Sequence, residues 1–395
     1  MLNLNNPSSA TDSAVASRVE IDVQSDTHCI DFLADGMLIT SSGPEGKVRL
    51  WRAEDGHEVG TAMDAGDFVL DLVVSRDGKW VVSGTRSGLV RVWNAQSQEK
   101  VGDIKGHEKP VGSVDISPDG TRIATGSDDS TACVWSIASG ERLLGPLKHD
   151  GKLAAVKYSS SGEFVATATC SHKSVRVYKS RDGSLMADIN VRVGSHMNES
   201  LAWSRHNEQL FVLSKHGIIH CLDAATGGAH SEWSTHDSDK AWWCIDLASN
   251  GTFVAASTNS LVSFWDITTH KQIGSLQCGS TVFSMILSPN SERLVTCEDD
   301  KKITIRKVAD IIPESYLVGV SASIKKSIPC LGKSLIRCNL LTARAIPVNG
   351  KFGTWKVQTL VLKGPTSHER RAQSQIVTAS PLLLLATTTK LAKKG

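Results

Sequence analysis

The chain has 395 residues and 42.4 kDa, with 43 basic and 41 acidic residues, 40% hydrophobic and 21% charged. This near balance does not suggest a wholly basic nucleic-acid binder, and the composition fits a folded globular chain, not a disordered one. Nine cysteines without recurrent spacing exclude a small disulfide scaffold, and the longest conspicuous apolar run, Leu382 to Ala386, is far short of a membrane helix.

The first residues, MLNLNNPSSATDSAVASR, lack a basic segment followed by an apolar stretch, so no secretory leader is expected. Residues 1–18 are expected to be disordered, and the protein to be intracellular, cytoplasmic or nuclear. Next, Val19 to Val23 alternates apolar and acidic residues in the manner of a strand.

A repeat then begins. Short alternating segments end at Trp51, Trp93, Trp135, Tyr178, Leu222, Trp265 and Arg306, in steps of 42, 42, 43, 44, 43 and 41 residues. Six near-equal steps mark a repeat architecture. Each segment follows a second β-rich run, such as WVVSGT or RIATGS. Upstream of each lies a third run, joined through a turn such as SRDG, SPDG or ASNG, whose residues accept hairpin backbone angles. A weaker fourth strand follows, for example EKVGDI after Trp93 and KQIGSL after Trp265. The unit is four antiparallel strands with few helix signals.

Repeat 3 has Gly106-His107, then 27 residues, then Trp135, with SPDG and GSDDST between. This pattern resembles the WD40 repeat, one blade of a β-propeller, and the phrasing over residues 19–310 resembles tandem WD40 repeat-like proteins of fungi. The Trp-Asp dipeptide occurs only as Trp265-Asp266, and Tyr178, Leu222 and Arg306 replace the tryptophan. There are seven triads but only six internal fourth strands. The expected fold is therefore an all-β, seven-bladed propeller, with residues 19–23 closing the ring beside Ile303 to Ile305 and removing an open edge. The resemblance also assigns His107, Thr125 or Ser127, Asp129 and Trp135 to a buried structural relay. An imidazole there bridges a hydroxyl and a carboxylate, while the indole N–H finds an acceptor. This explains a His/Asp/Ser set without a hydrolase, and no nucleophile-elbow motif accompanies it.

Other chemistry finds little support. His216 and His220 are four apart in strand-rich sequence, about 13 Å on one face. Metal-type Cys-x-x-Cys and His-Glu-x-x-His are absent, so no metal and no cofactor is expected. Cys133, Cys170, Cys221, Cys244 and Cys297 read as small buried apolar residues. Gly43 to Lys47 and Gly145 to Lys148 lack the Walker spacing.

In the resembled family, the connection into the innermost strand and the turn between the second and third strands share one rim. Here those positions hold His28, Phe68, Lys109, Lys152, Trp242 and Trp243, then Arg86, Asp128, His172 and Lys215. Aromatic residues with cations nearby have the composition of an interface hot spot. The plain alternative is that one tryptophan of the pair points into the core and the rim is idle.

Residues 311–395 leave the repeat phase. They carry 13 Lys or Arg against Glu314 and Glu369, a net of +11, whereas residues 1–310 carry 30 basic and 39 acidic, a net of −9. The expectation is a basic tail of low order. It is read either as an arm for nucleic acid or an acidic surface, or as a bland extension. The leading functional expectation is a non-enzymatic scaffold, a monomeric ring within a larger assembly, whose rim loops bind a protein or peptide.

Overall fold

The computed structural model describes residues 18–23, 25–33, 36–42, 45–170, 175–191, 193, 200–204, 209–214, 216–235, 243–317, 354–358 and 374–378. The chain groups into two units, Met1–Gly319 and Val320–Gly395. The first is a seven-bladed β-propeller of four-stranded antiparallel sheets.

Blade 2 shows how the sequence makes a blade. Its strands run in order from the channel outward: Val69–Val74, Trp80–Thr85, Leu89–Asn94 and Lys100–Lys105. Side chains alternate between sheet faces, and each face of an inner strand meets a neighbouring blade, so Val81 packs toward blade 1 and Val82 toward blade 3. Both faces are therefore buried, which is why WVVSGT shows successive valines and buried small residues instead of an apolar–polar alternation. The core is distributed as seven clusters, one between each pair of successive blades. The first-to-second strand turns are held by side chains. In blade 3, Ser117 Oγ donates to Asp119 Oδ1 at 2.5 Å and accepts from Arg122 N at 2.9 Å. Gly120 takes φ +67° there, a left-handed angle that costs a side-chain-bearing residue strain.

The ring closes as the sequence predicts. Strand Arg18–Asp22 pairs antiparallel with Lys302–Lys307 as the outer strand of blade 7, with Val19 opposite Ile305 and Ile21 opposite Ile303. The strand begins at Arg18, and Val23 N donates to Lys301 O at 2.9 Å just beyond its end. Residues 1–17 of the expected disordered segment lie outside the described residues.

One feature has no counterpart in the repeat pattern. After the last repeat strand, two 3-10 turns, Val308–Asp310 and Glu314–Tyr316, carry the chain across blade 6. Ile311, Ile312, Tyr316 and Leu317 join the cluster between blades 6 and 7. Packed structure thus runs seven residues past position 310, where the repeat signal ends; these apolar side chains follow neither a strand nor a helix period, so no sequence pattern announces them.

Within Val320–Gly395, strands Thr354–Gln358 and Ser374–Thr378 pair antiparallel, with Trp355 opposite Val377. The remainder of the expected low-order tail lies outside the described residues.

Candidate functional site

The His/Asp/Thr constellation of blade 3 is the densest polar cluster predicted from sequence. Asp129 Oδ2 lies 2.8 Å from His107 Nδ1, and Thr125 Oγ1 lies 2.7 Å from His107 Nε2. Trp135 Nε1 donates to Thr125 Oγ1 at 2.9 Å. With the imidazole proton on Nδ1, donors run in one direction from Trp135 through Thr125 and His107 to Asp129. Burial pushes the Asp129 carboxyl up, but hydrogen bonds from Thr131 and His107 outweigh it and leave the group below the usual carboxylate range. Ser127 stands aside: its Oγ donates to Lys109 O at 3.1 Å and accepts from Asp129 N at 3.1 Å, so it ties the turn and Thr125 supplies the relay hydroxyl. The Thr125 hydroxyl is fully buried and engaged, a geometry that braces a blade.

Blade 4 repeats part of this device, which sequence reasoning missed. His149 Nε2 lies 2.9 Å from Thr167 Oγ1 and 3.3 Å from Tyr178 Oη, while Nδ1 lies 3.0 Å from Leu147 O. Burial lowers its pKa to about 4. The available signal was spacing: 18 residues separate His149 from Thr167, as they separate His107 from Thr125.

The axis of the ring is lined by acids. Asp31, Asp71, Asp115 and Asp246 reach from the innermost strand of one blade to a backbone N–H of the next, accepting from Val74 at 2.7 Å, Val114 at 2.7 Å, Tyr158 at 2.6 Å and Leu287 at 2.8 Å. They border a cavity of about 290 Å³ that Lys157 also lines. Burial raises the Asp31 carboxyl to about 7, against the opposing pull of the Val74 N–H and Lys157. These carboxylates stitch blade to blade, and sequence reasoning missed all four. Among the described residues, no group of three or more His, Cys, Asp or Glu could hold a metal ion.

The rim is built by a recurring irregularity. Among the described residues, the innermost strand of five blades carries an extra residue near its start: His28, Leu70, Gly112, Ala154 and Phe283. Such bulges bend the strand and re-aim the extra side chain. His28 and Phe283 therefore meet at 6.0 Å between ring centroids, and His28 and Phe68 at 5.2 Å. The Arg86 guanidinium covers the Phe68 ring at 4.4 Å, an attractive cation–π geometry. Burial, and secondarily the nearby Arg86, hold the His28 pKa below its ordinary value against the pull of Asp26.

Of the sequence-predicted rim residues, Phe68, Arg86 and His28 thus form one aromatic–cationic cluster, joined by Phe283, which was not foreseen. Lys152 Nζ pairs with Asp128 Oδ2 at 2.5 Å on the neighbouring stretch, and Lys109 is exposed beside Ser127. Trp243 opens the innermost strand of blade 6 opposite Thr258. His172, Lys215 and Trp242 lie outside the described residues.

The family model described as WD domain, G-beta repeat matches residues 56–94 and 98–136. Each match takes the outer strand of one blade with the inner three of the next. No curated protein matches the chain.

Proposed function

We propose that this chain, a WD40-repeat protein with a seven-bladed propeller, is a non-enzymatic scaffold that binds a protein or peptide through the rim carrying His28, Phe68, Arg86 and Phe283. WD40 propellers typically serve as protein-interaction scaffolds. The observation that carries the rim assignment is the contact cluster of His28, Phe68 and Phe283, with the Arg86 guanidinium over the Phe68 ring. Aromatic and arginine side chains that are already ordered supply contact area at little further entropic cost, as binding hot spots require. The blade 3 relay and the axial carboxylates are engaged with the fold itself, so they support a rigid frame.

The test is comparative capture with the full chain. Partners held by the wild type are expected to be lost with Phe68→Ala and Arg86→Ala. They are expected to be kept with Arg76→Ala, whose guanidinium donates to Ser160 O at 3.2 Å among the first-to-second strand turns. Retention in both rim variants would defeat the assignment.

A second reading rests on the +11 charge of residues 311–395. Binding of nucleic acid or an acidic surface through that segment would weaken steeply with salt, whereas aromatic rim contacts would weaken little.

A further inference from the structure

Blade 1 holds the frame of the blade 4 relay without its imidazole. His149 N donates to Ser130 O at 2.9 Å, four residues before the innermost strand of blade 4 opens at Leu153. Val23 N donates likewise to Lys301 O at 2.9 Å, four residues before Thr27 opens the innermost strand of blade 1. Val23 therefore holds the register position of His149. Thr40 stands opposite Arg49 as Thr167 stands opposite Arg176, and Trp51 opposite Leu38 as Tyr178 opposite Val165. The charged flank is kept as well: Arg49 pairs with Glu58 at 2.9 Å, and Arg176 with Asp188 at 2.9 Å.

Blade 1 lacks an acceptor for the threonine proton. In blade 4, Leu147 O can only accept, so His149 carries its proton on Nδ1, and Nε2 accepts from Thr167 Oγ1 at 2.9 Å. In blade 1, Trp51 Nε1 donates to Thr40 Oγ1 at 2.8 Å, but among the described residues nothing accepts from the Thr40 hydroxyl. Thr40 is 2% exposed, so a donor left unused there is costly.

A cavity of about 320 Å³ lies at this place, between Val23, Thr40 and Trp51 on one side and Asp22, Arg49 and Glu58 on the other. The first three are buried and form its floor, whereas Asp22 and Glu58 are exposed and mark its opening. Its lining is polar and carries both a donor and carboxylate acceptors, as a small-ligand site requires.

We propose that this cavity binds an imidazole ring, either of a free small molecule or of a histidine side chain from a partner. The unprotonated nitrogen accepts from Thr40 Oγ1, as His149 Nε2 accepts from Thr167. The ring N–H donates to Asp22, a carboxylate that forms no ion pair among the described residues. Trp51 offers the edge contact that Trp135 gives His107 at 6.0 Å between ring centroids. The proposal does not rest on the rim assignment.

The experiment follows imidazole, and separately N-acetylhistidinamide, by saturation-transfer NMR with the full chain, at a pH that keeps the ring uncharged. Saturable binding of imidazole is expected. Thr40→Val removes the donor and is expected to weaken binding at least about tenfold, whereas Thr40→Ser keeps the hydroxyl and should retain it. Val23→His supplies a ring from the chain itself; it is expected to abolish binding and to raise the melting temperature. Phe68→Ala is expected to change nothing. Melts without ligand check that each variant is folded, and the Thr40 pair carries the test if Val23→His is not. Binding of both compounds assigns the site to a histidine side chain, and binding of imidazole alone assigns it to a free small molecule. Absence of saturable imidazole binding, binding undiminished in Thr40→Val, or binding that survives in folded Val23→His overturns the proposal and leaves the cavity to water.

Discussion

Ile21 lies opposite Ile303, so a residue near the start of the chain is hydrogen-bonded in register with the last repeat. Both side chains enter the cluster that joins blade 7 to blade 1, together with Trp51 and Leu38. The contact is local in space and distant in sequence, which makes every blade dependent on the N-terminal strand in a way an open solenoid is not.

Deleting residues 1–24 is therefore expected to lower the melting temperature clearly or to produce aggregates, by leaving the edge of Lys302–Lys307 unpaired. Size-exclusion chromatography with a thermal melt reads both. A truncated chain that stays monomeric and melts as the wild type does would exclude closure by this strand.

The blade 3 relay gives a stability series. Trp135→Ala is expected to cost roughly 3–5 kcal/mol in denaturant unfolding, from lost burial and from the Thr125 hydroxyl left without its donor. Asp129→Ala should cost less, because Asp129 is at the better-solvated end of the chain of donors. Equal costs for the two, or no cost for Trp135→Ala, would contradict the relay geometry.

Two buried groups act oppositely with pH. The folded pKa of Asp31 is raised to about 7, so the folded state binds the proton more tightly; this contribution to stability is lost as pH rises from the unfolded value near 4 toward 7. The His149 pKa is lowered to about 4, so its burial is tolerated above about 6.5 and becomes destabilising as pH falls toward 4. Asp31→Asn is expected to flatten the decline between pH 4 and 7, by at most roughly 1.4 kcal/mol for each pH unit crossed. Unfolding curves across that range check it, and an unchanged pH profile in the variant would refute it.

Truncation should separate the propeller from the residues beyond it. Ending the chain after residue 317 is expected to leave its melting temperature intact. Ending it after 310 removes Ile312 and Tyr316 from the cluster between blades 6 and 7 and should lower it. Tyr316→Phe should show a smaller loss, since only the bond to Asp266 goes. Identical melts for both truncations would mean that residues 311–317 add nothing to the fold.

Much of the architecture was legible because it repeats. The tryptophan-type positions, the turn residues and the apolar alternation of residues 19–23 all state local preferences that the tertiary structure also satisfies. The relay was legible only where Gly106 precedes His107; His149, preceded by Lys148, performs the same contact to a threonine without that cue. Phe283 was hidden because a bulge has no letter: TVFSMIL reads as plain strand, and its shifted register is set by pairing with Arg293–Glu298. The axial aspartates were hidden for a related reason. Their partners are backbone N–H groups of the next blade, contacts that no side-chain motif announces.

Binding through the rim of His28, Phe68, Arg86 and Phe283 is open to a decisive measurement, hydrogen exchange on the full chain with and without a captured partner. New protection is expected in the peptides that span residues 26–29, 66–70, 85–88 and 281–284, with the outer strands of blades 4 and 5 unchanged. Protection confined to the first-to-second strand turns, such as those at Asp77, Asp119 and Asn290, would place the partner on the opposite end of the ring and contradict rim binding.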